Sequence, residues 1–197
     1  MQAEQAPLRS RSAVTLAVAL VVLLGAAGAA YLVRRHVLAE ARSLNTGDYE
    51  SWVGLGVDVG QVMTYGDIIM TNDGRRPIVI ERAELLTNDA GAVVEEVRLL
   101  DVDAVPVGTL KGEALGYAVP VEANAIPGAT MQPSQPDHRK HYQLIFVIRV
   151  SGAEATLFHS VRISYRIADR KFEKVAGYRL RLCTPKGVHC SADRRGN

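Results

Sequence analysis

From Ser12 to Val33 the chain has no charged residue, and Ala13 to Val33 reads AVTLAVALVVLLGAAGAAYLV. At a helical rise of about 1.5 Å per residue, those 21 residues span roughly 32 Å, close to the ~30 Å hydrocarbon core of a bilayer. Ser12 and Thr15 are the only polar side chains before Tyr31, so no hydrophilic face exists to meet water. Arg9 and Arg11 precede the run, and Arg34, Arg35 and His36 follow it. Tyr31 lies near the distal end, where an aromatic ring prefers the interface.

Two readings fit such a run. One is an uncleaved single-pass anchor; the other is a signal peptide cleaved near the small-x-small triplet Ala27-Gly28-Ala29. The run exceeds the ~7–15 residues of a typical signal core, and Arg34-Arg35 resembles a stop at headgroup level, which favours the anchor. Arginines flank both ends equally, so the positive-inside count decides nothing. The short N-terminal tail and a cysteine pair in the C-terminal part favour a C-terminal domain outside the cytoplasm. Gly25 and Ala29 have the small-xxx-small spacing of a helix-pairing face. This end of the run is rich in small residues throughout, so the spacing alone marks no partner.

The expected organisation is a cytoplasmic tail (1–12), a transmembrane helix (13–33), a helical stalk and linker (34–50), a β-sandwich (51–185) and a C-terminal tail (186–197). Residues 34–44 are good helix formers and should continue the helix, with Asn45-Thr46-Gly47-Asp48 as its stop.

Beyond Trp52 the periodicity changes. Val57 to Met63 suggests a first strand and Asp67 to Thr71 a second. Asn72-Asp73-Gly74 is a turn, because these residues tolerate positive φ. Strands should then run from Pro77 to about Leu86 and from Val93 to Val102. Residues 104–140 hold most of the prolines. Short edge strands are expected near Val107 and Tyr117–Val121, and an exposed loop over Pro127–Lys140. His141–Val150 alternates with apolar residues in both phases, as a central strand would. Val161–Ile167 and Tyr178–Cys183 alternate with period two, separated by a turn at Ala168–Lys171. Seven to nine strands make a two-sheet antiparallel sandwich.

The stretch Thr71-Asn72-x-Gly74-x-x-Pro77-Ile78-x-Ile80 resembles the strand–turn–strand of small bacterial immunoglobulin-like ectodomains. The ending Tyr165…Tyr178-Arg-Leu-Arg-Leu-Cys183 is similar to the last strands of single-pass membrane proteins of high-GC Gram-positive bacteria. A cation content of 18 Arg against 5 Lys fits GC-rich coding. The resemblance covers about residues 50–185 and implies an immunoglobulin-like fold and a location, not an activity.

Composition excludes several classes. A net charge of +2 on 197 residues with 48% hydrophobic content fits neither a disordered polyelectrolyte nor a basic nucleic-acid binder. No phosphate-binding loop, dinucleotide fingerprint, zinc-protease helix or serine-hydrolase elbow is present.

Several constellations remain. Cys183 and Cys190 are spaced for a disulfide closing a small loop. The competing reading is a sortase-like cysteine transpeptidase, with Cys183 as nucleophile, His138 (or His141 or His159) as its basic partner and Arg194 as the cation. Leu182 stands where that family's pattern has Thr, and Cys190 would consume the thiol. Asp137-His138-x-x-His141, with His159 or His189 and with Met131 as a soft ligand, has the residue types of a zinc or copper site. Five histidines are ordinary for this length, so no metal and no cofactor is expected.

Charge is segregated. Residues 40–103 carry 13 acids and 5 bases, while residues 149–197 carry 11 bases and 4 acids. Arg162, Arg166, Arg179 and Arg181 share one phase, opposite Ile163, Tyr165, Leu180 and Leu182. If their strands pair, the four form a cationic patch for anionic lipid, cell-wall polymer or an acidic envelope protein. Glu81, Glu84, Glu95 or Glu96 would neutralise it if they lie alongside. The sequence thus points to a non-enzymatic binding or scaffolding module of the cell envelope, held in the plasma membrane by one span.

Overall fold

The computed structural model describes residues 10–47, 51–104, 119, 122–188 and 190. It has an N-terminal helix unit, 1–40, and a β unit, 41–197.

The helix, α1 (Ser10–Ala41), is a single run of 32 residues. Within it Val22–Ala41 is long and apolar enough to cross a membrane, and Val22–His36 are all exposed. Leu23 and Leu24 are about two-thirds exposed, at 66% and 64%. Arg34 and Arg35 lie inside the helix, so it does continue past the apolar run.

The β unit is a two-sheet sandwich. Its strands are β1 (Leu44–Asn45), β2 (Ser51–Gly56), β3 (Val62–Asn72), β4 (Ile78–Thr87), β5 (Ala92–Asp101), β6 (Asn124–Ala125), β7 (Thr130–Met131), β8 (His141–Val150), β9 (Thr156–Ile167), β10 (Arg170–Ala176) and β11 (Tyr178–Cys183). One sheet has the order β1-β3-β8-β5-β6 and the other β2-β11-β9-β4-β7, with β10 also on β9. The inward phases of both sheets meet in one core, where Tyr65, Phe146, Phe158, Tyr165 and Tyr178 are all at most 2% exposed.

Alternation explains most of this. In β9, Val161, Ile163, Tyr165 and Ile167 are buried while Arg162, Ser164 and Arg166 face outward. β8 is central, flanked by β3 and β5, and apart from Arg149 it has no fully exposed residue. A bulge in β3 between Tyr65 and Ile68 frees the Gly66 carbonyl, and the buried Gln143 amide of β8 donates to it.

Six expectations need correction. The helix stops at Ala41 rather than Leu44, because Leu44 is fully buried in the sandwich and Leu44–Asn45 pairs with Thr71–Asn72. The first long strand is Ser51–Gly56, and Val57–Gln61 is a connection; Asp67–Thr71 is the second half of β3, not a separate strand. The sandwich is not wholly antiparallel, since β2 runs parallel to β11. The stretch Pro127–Lys140 is not all loop, because β7 pairs with β4 and buries Met131 completely. The turn after β9 is only Ala168-Asp169, and Arg170–Ala176 is a strand of its own. The edge strands expected near Val107 and Tyr117–Val121 lie outside the described residues, apart from Val119.

β10 and β11 lie along one side of β9. β10 pairs with Val161–Ile167 and β11 with Thr156–Phe158, the break falling at Gly177. That arrangement decides where the arginines go.

Candidate functional site

The four arginines do not assemble into one patch. Arg181 pairs with Leu157, whereas Arg162 and Arg166 lie five and nine residues further along β9. At about 3.4 Å per residue the nearer separation is roughly 17 Å. The expectation assumed that β11 covers the arginine half of β9; β10 occupies that place instead.

Acids also intervene. Arg162 lies opposite Glu84 of β4, and its Nε is 3.6 Å from Glu173 of β10. Arg166 Nε is 3.2 Å from Glu81, which Lys171 also approaches at 3.9 Å. Arg149 holds Glu95 at 2.6 Å and Arg98 holds Glu96 at 2.7 Å. Arg149 with Glu95, and Arg166 and Lys171 with Glu81, join the acidic and basic stretches of the sequence as ion pairs.

Cys183 and Cys190 form a disulfide with Cα atoms 5.7 Å apart. Cys183 is buried at the end of β11, and the loop it closes packs on β2: a Cβ at Gly56 would lie 3.1 Å from the Gly187 nitrogen. In this state Cys183 has no thiolate to offer as a nucleophile. Arg194 and His189 lie outside the described residues.

The histidine motif is split. His138 and His141 both approach Asp103, at 3.9 and 3.8 Å, and the His141 backbone N–H donates to the same carboxylate at 2.9 Å. Asp137 is exposed. His159 sits in the other sheet, its Nδ1 3.0 Å from Ser160 Oγ. Met131 is enclosed in the core. Among the described residues no three His, Cys, Asp or Glu side chains are grouped to hold a metal.

Asp73 is a structural junction. It accepts hydrogen bonds from Asn45 Nδ2 (2.8 Å), Thr71 Oγ1 (2.7 Å) and Arg139 Nη2 (3.1 Å). Burial alone would raise its pKa, but these donors and the Arg139 charge outweigh it and hold the carboxyl below its ordinary value.

The feature that sequence reasoning missed is a groove of about 610 Å³ where β4 and β5 diverge at the open side of the sandwich. Ala83, Leu85, Val94, Val97, Ile126 and Phe158 are among its apolar lining. Its charged lining is four glutamates (Glu81, Glu84, Glu95 and Glu96) and one arginine, Arg82. Segment 124–131 closes one end by pairing first with β5 at Arg98–Leu99 and then with β4 at Ile78–Val79. The acid-rich composition of 81–96 was the only hint in the sequence.

No family model and no curated protein matches this sequence. Among solved structures the chain is similar to the human ASH/PapD-like domain 7 of CEP192, with a TM-score of 0.38 and 6% identity over 73% of this chain and 86% of that domain.

Proposed function

We propose that the protein is a membrane-anchored binding or scaffolding module of the bacterial cell envelope, with its sandwich on the extracytoplasmic side of the plasma membrane. The observation that carries this reading is the helix: an apolar run long enough to span a bilayer, with its side chains from Val22 to Val33 uncovered by protein. Burying such side chains is favourable by roughly 25 cal/mol per Å² of apolar surface, and a lipid phase supplies that burial.

The disulfide supports an oxidising compartment for the β unit. The cysteine-transpeptidase alternative needs Cys183 as a thiolate, and the disulfide argues against it. A partner protein of the envelope, rather than lipid or polymer, fits a sandwich on which Arg149, Arg162 and Arg166 are matched by glutamates of its own faces.

The test is protease added to intact protoplasts. The reading expects residues 51–197 to be degraded while a cytoplasmic marker survives. Full protection would reverse the orientation, and a mature chain starting near Ala30 would replace the anchor with a cleaved signal.

A further inference from the structure

The groove between β4 and β5 has two half-open sheet edges. β6 covers β5 only at Arg98–Leu99, and β7 covers β4 only at Ile78–Val79. Among the described residues, Ala92–Glu96 of β5 and Arg82–Thr87 of β4 have no strand on that side.

Hydrogen-bond phase shows which backbone groups point outward. Val150 of β8 donates its N–H to Gln61 and accepts from Gly60, both on the β3 side. Ala92, directly opposite Val150, therefore directs its own N–H and C=O away from β8, and Val94, opposite Ile148, does the same. Val97 follows this phase, because its carbonyl accepts the Ile126 N–H at 3.2 Å. On β4, Ile80 donates to Ala129 and accepts from Gly128. Ala83 and Leu85 continue that phase beyond a bulge, facing Ile163 and Val161 as Ile80 faces Tyr165.

A single extended strand fits this opening. Laid antiparallel along β5, it continues the ladder that β6 begins at Leu99 and Arg98 and that Ile126 ends at Val97. Side chains opposite Ala92 and Val94 would enter the apolar groove beside Leu85 and Phe158. Those between them would lie on the outer face beside Val93 and Glu95, with Glu96 next along the strand. Val93 is 55% exposed, and the Glu95 and Glu96 side chains keep 37% and 41% of their surface with one arginine apiece. The groove thus asks for apolar residues in one phase and cations in the other.

We propose that β5 takes up an extended segment of a partner protein in which apolar residues alternate with lysine or arginine, added antiparallel along Ala92–Glu96 in line with β6. Main-chain hydrogen bonds would supply affinity and the alternation would supply selectivity, as in strand addition generally. This deepens the binding-module reading above and rests on it.

The test uses the full chain in phosphatidylcholine nanodiscs and two fluorescent octapeptides, (Lys-Val)4 and (Glu-Val)4, followed by anisotropy. The lysine peptide should bind at least about tenfold more tightly than the glutamate peptide. Lys-Val N-methylated at alternate residues should lose about tenfold or more, since it cannot complete the ladder. Glu95→Lys with Glu96→Lys should reverse the charge preference. Val94→Pro removes an outward N–H, a position where an edge strand tolerates proline, and should weaken binding by a similar factor. The N-methylated peptide leaves the protein untouched, so misfolding cannot explain its result. Absence of binding beyond that to empty discs at ~1 mM peptide, equal binding of the two charge types, or equal binding of the N-methylated form overturns the proposal. Sidedness in the cell does not enter this assay, so its failure and a failed protoplast experiment are distinct.

Discussion

The Tyr178 hydroxyl donates a 2.6 Å hydrogen bond to the Thr46 carbonyl, joining the last strand to the segment that leads into the first long one. Lys174 Nζ reaches the Leu44 carbonyl at 2.8 Å and the Tyr165 hydroxyl reaches that of Ala41 at 2.7 Å. Three side chains from β9–β11 thus satisfy three carbonyls of residues 41–46. Tyr178→Phe should cost about 1–2 kcal/mol, the value of one buried hydrogen bond plus an orphaned acceptor. Urea unfolding followed by the fluorescence of Trp52, the one tryptophan, measures it.

Phe146 is fully buried, in register with Tyr65 on one side and Val97 on the other. Phe146→Ala should cost roughly 3–5 kcal/mol. A loss under about 1 kcal/mol would contradict its place at the centre of the core.

Two groups set opposite pH limits. Burial pushes the Tyr165 hydroxyl up to about 12 from 10.0. A raised folded-state pKa gives stability that is complete below pH 10 and lost as pH rises through about 12. Tyr165→Phe should flatten the decline over that window. The Asp73 carboxyl is depressed below 3.8, so its contribution is present above that pH and disappears as pH falls through the folded-state value. Asp73→Asn should be slightly less stable at neutral pH, with the gap closing in acid. The effect is small because a third of the side chain is exposed. Denaturant melts at a series of pH values check both.

Replacing Cys183 and Cys190 together by alanine should lower stability by about 2–3 kcal/mol, the low end expected for so short a loop. Mass spectrometry under non-reducing conditions should find no free thiol on the native protein. Full alkylation of Cys183 without reductant would contradict the disulfide.

Ala168 has φ of 51°, in the turn between β9 and β10. An alanine there bears a Cβ clash that glycine lacks. Ala168→Gly should therefore raise stability by about 0.5–1 kcal/mol, read as an upward shift in the urea midpoint.

Much of the fold was legible where one face of a strand is apolar. β8 and β9 declare themselves because burial and alternation coincide residue by residue. β10 does not, because Arg170-Lys171-Phe172-Glu173-Lys174 puts only one apolar side chain in five positions. β2 was hidden by Gly54 and Gly56, which lower strand propensity but admit the disulfide loop against that strand. The arginine phase was read correctly, and its failure as a patch came from register, which local periodicity does not encode. The groove was invisible for the same reason, since it exists only because β6 and β7 stop after two residues each.

The parallel pairing of β2 with β11 has a consequence for how the chain is made. Leu55 faces Leu182, so 127 positions of sequence separate two neighbours. A polypeptide emerging N-terminus first presents β2 long before its partner exists. Until Tyr178–Cys183 arrives, Val53 and Leu55 have no flanking ladder among the described residues, and the segment that Tyr178 and Lys174 tie down lacks those two ties. Contacts this distant in sequence form late and slowly. The interval between synthesis of the two strands is therefore a window in which a nascent chain is open to proteolysis or to capture by a chaperone, and it closes only when the last strand docks.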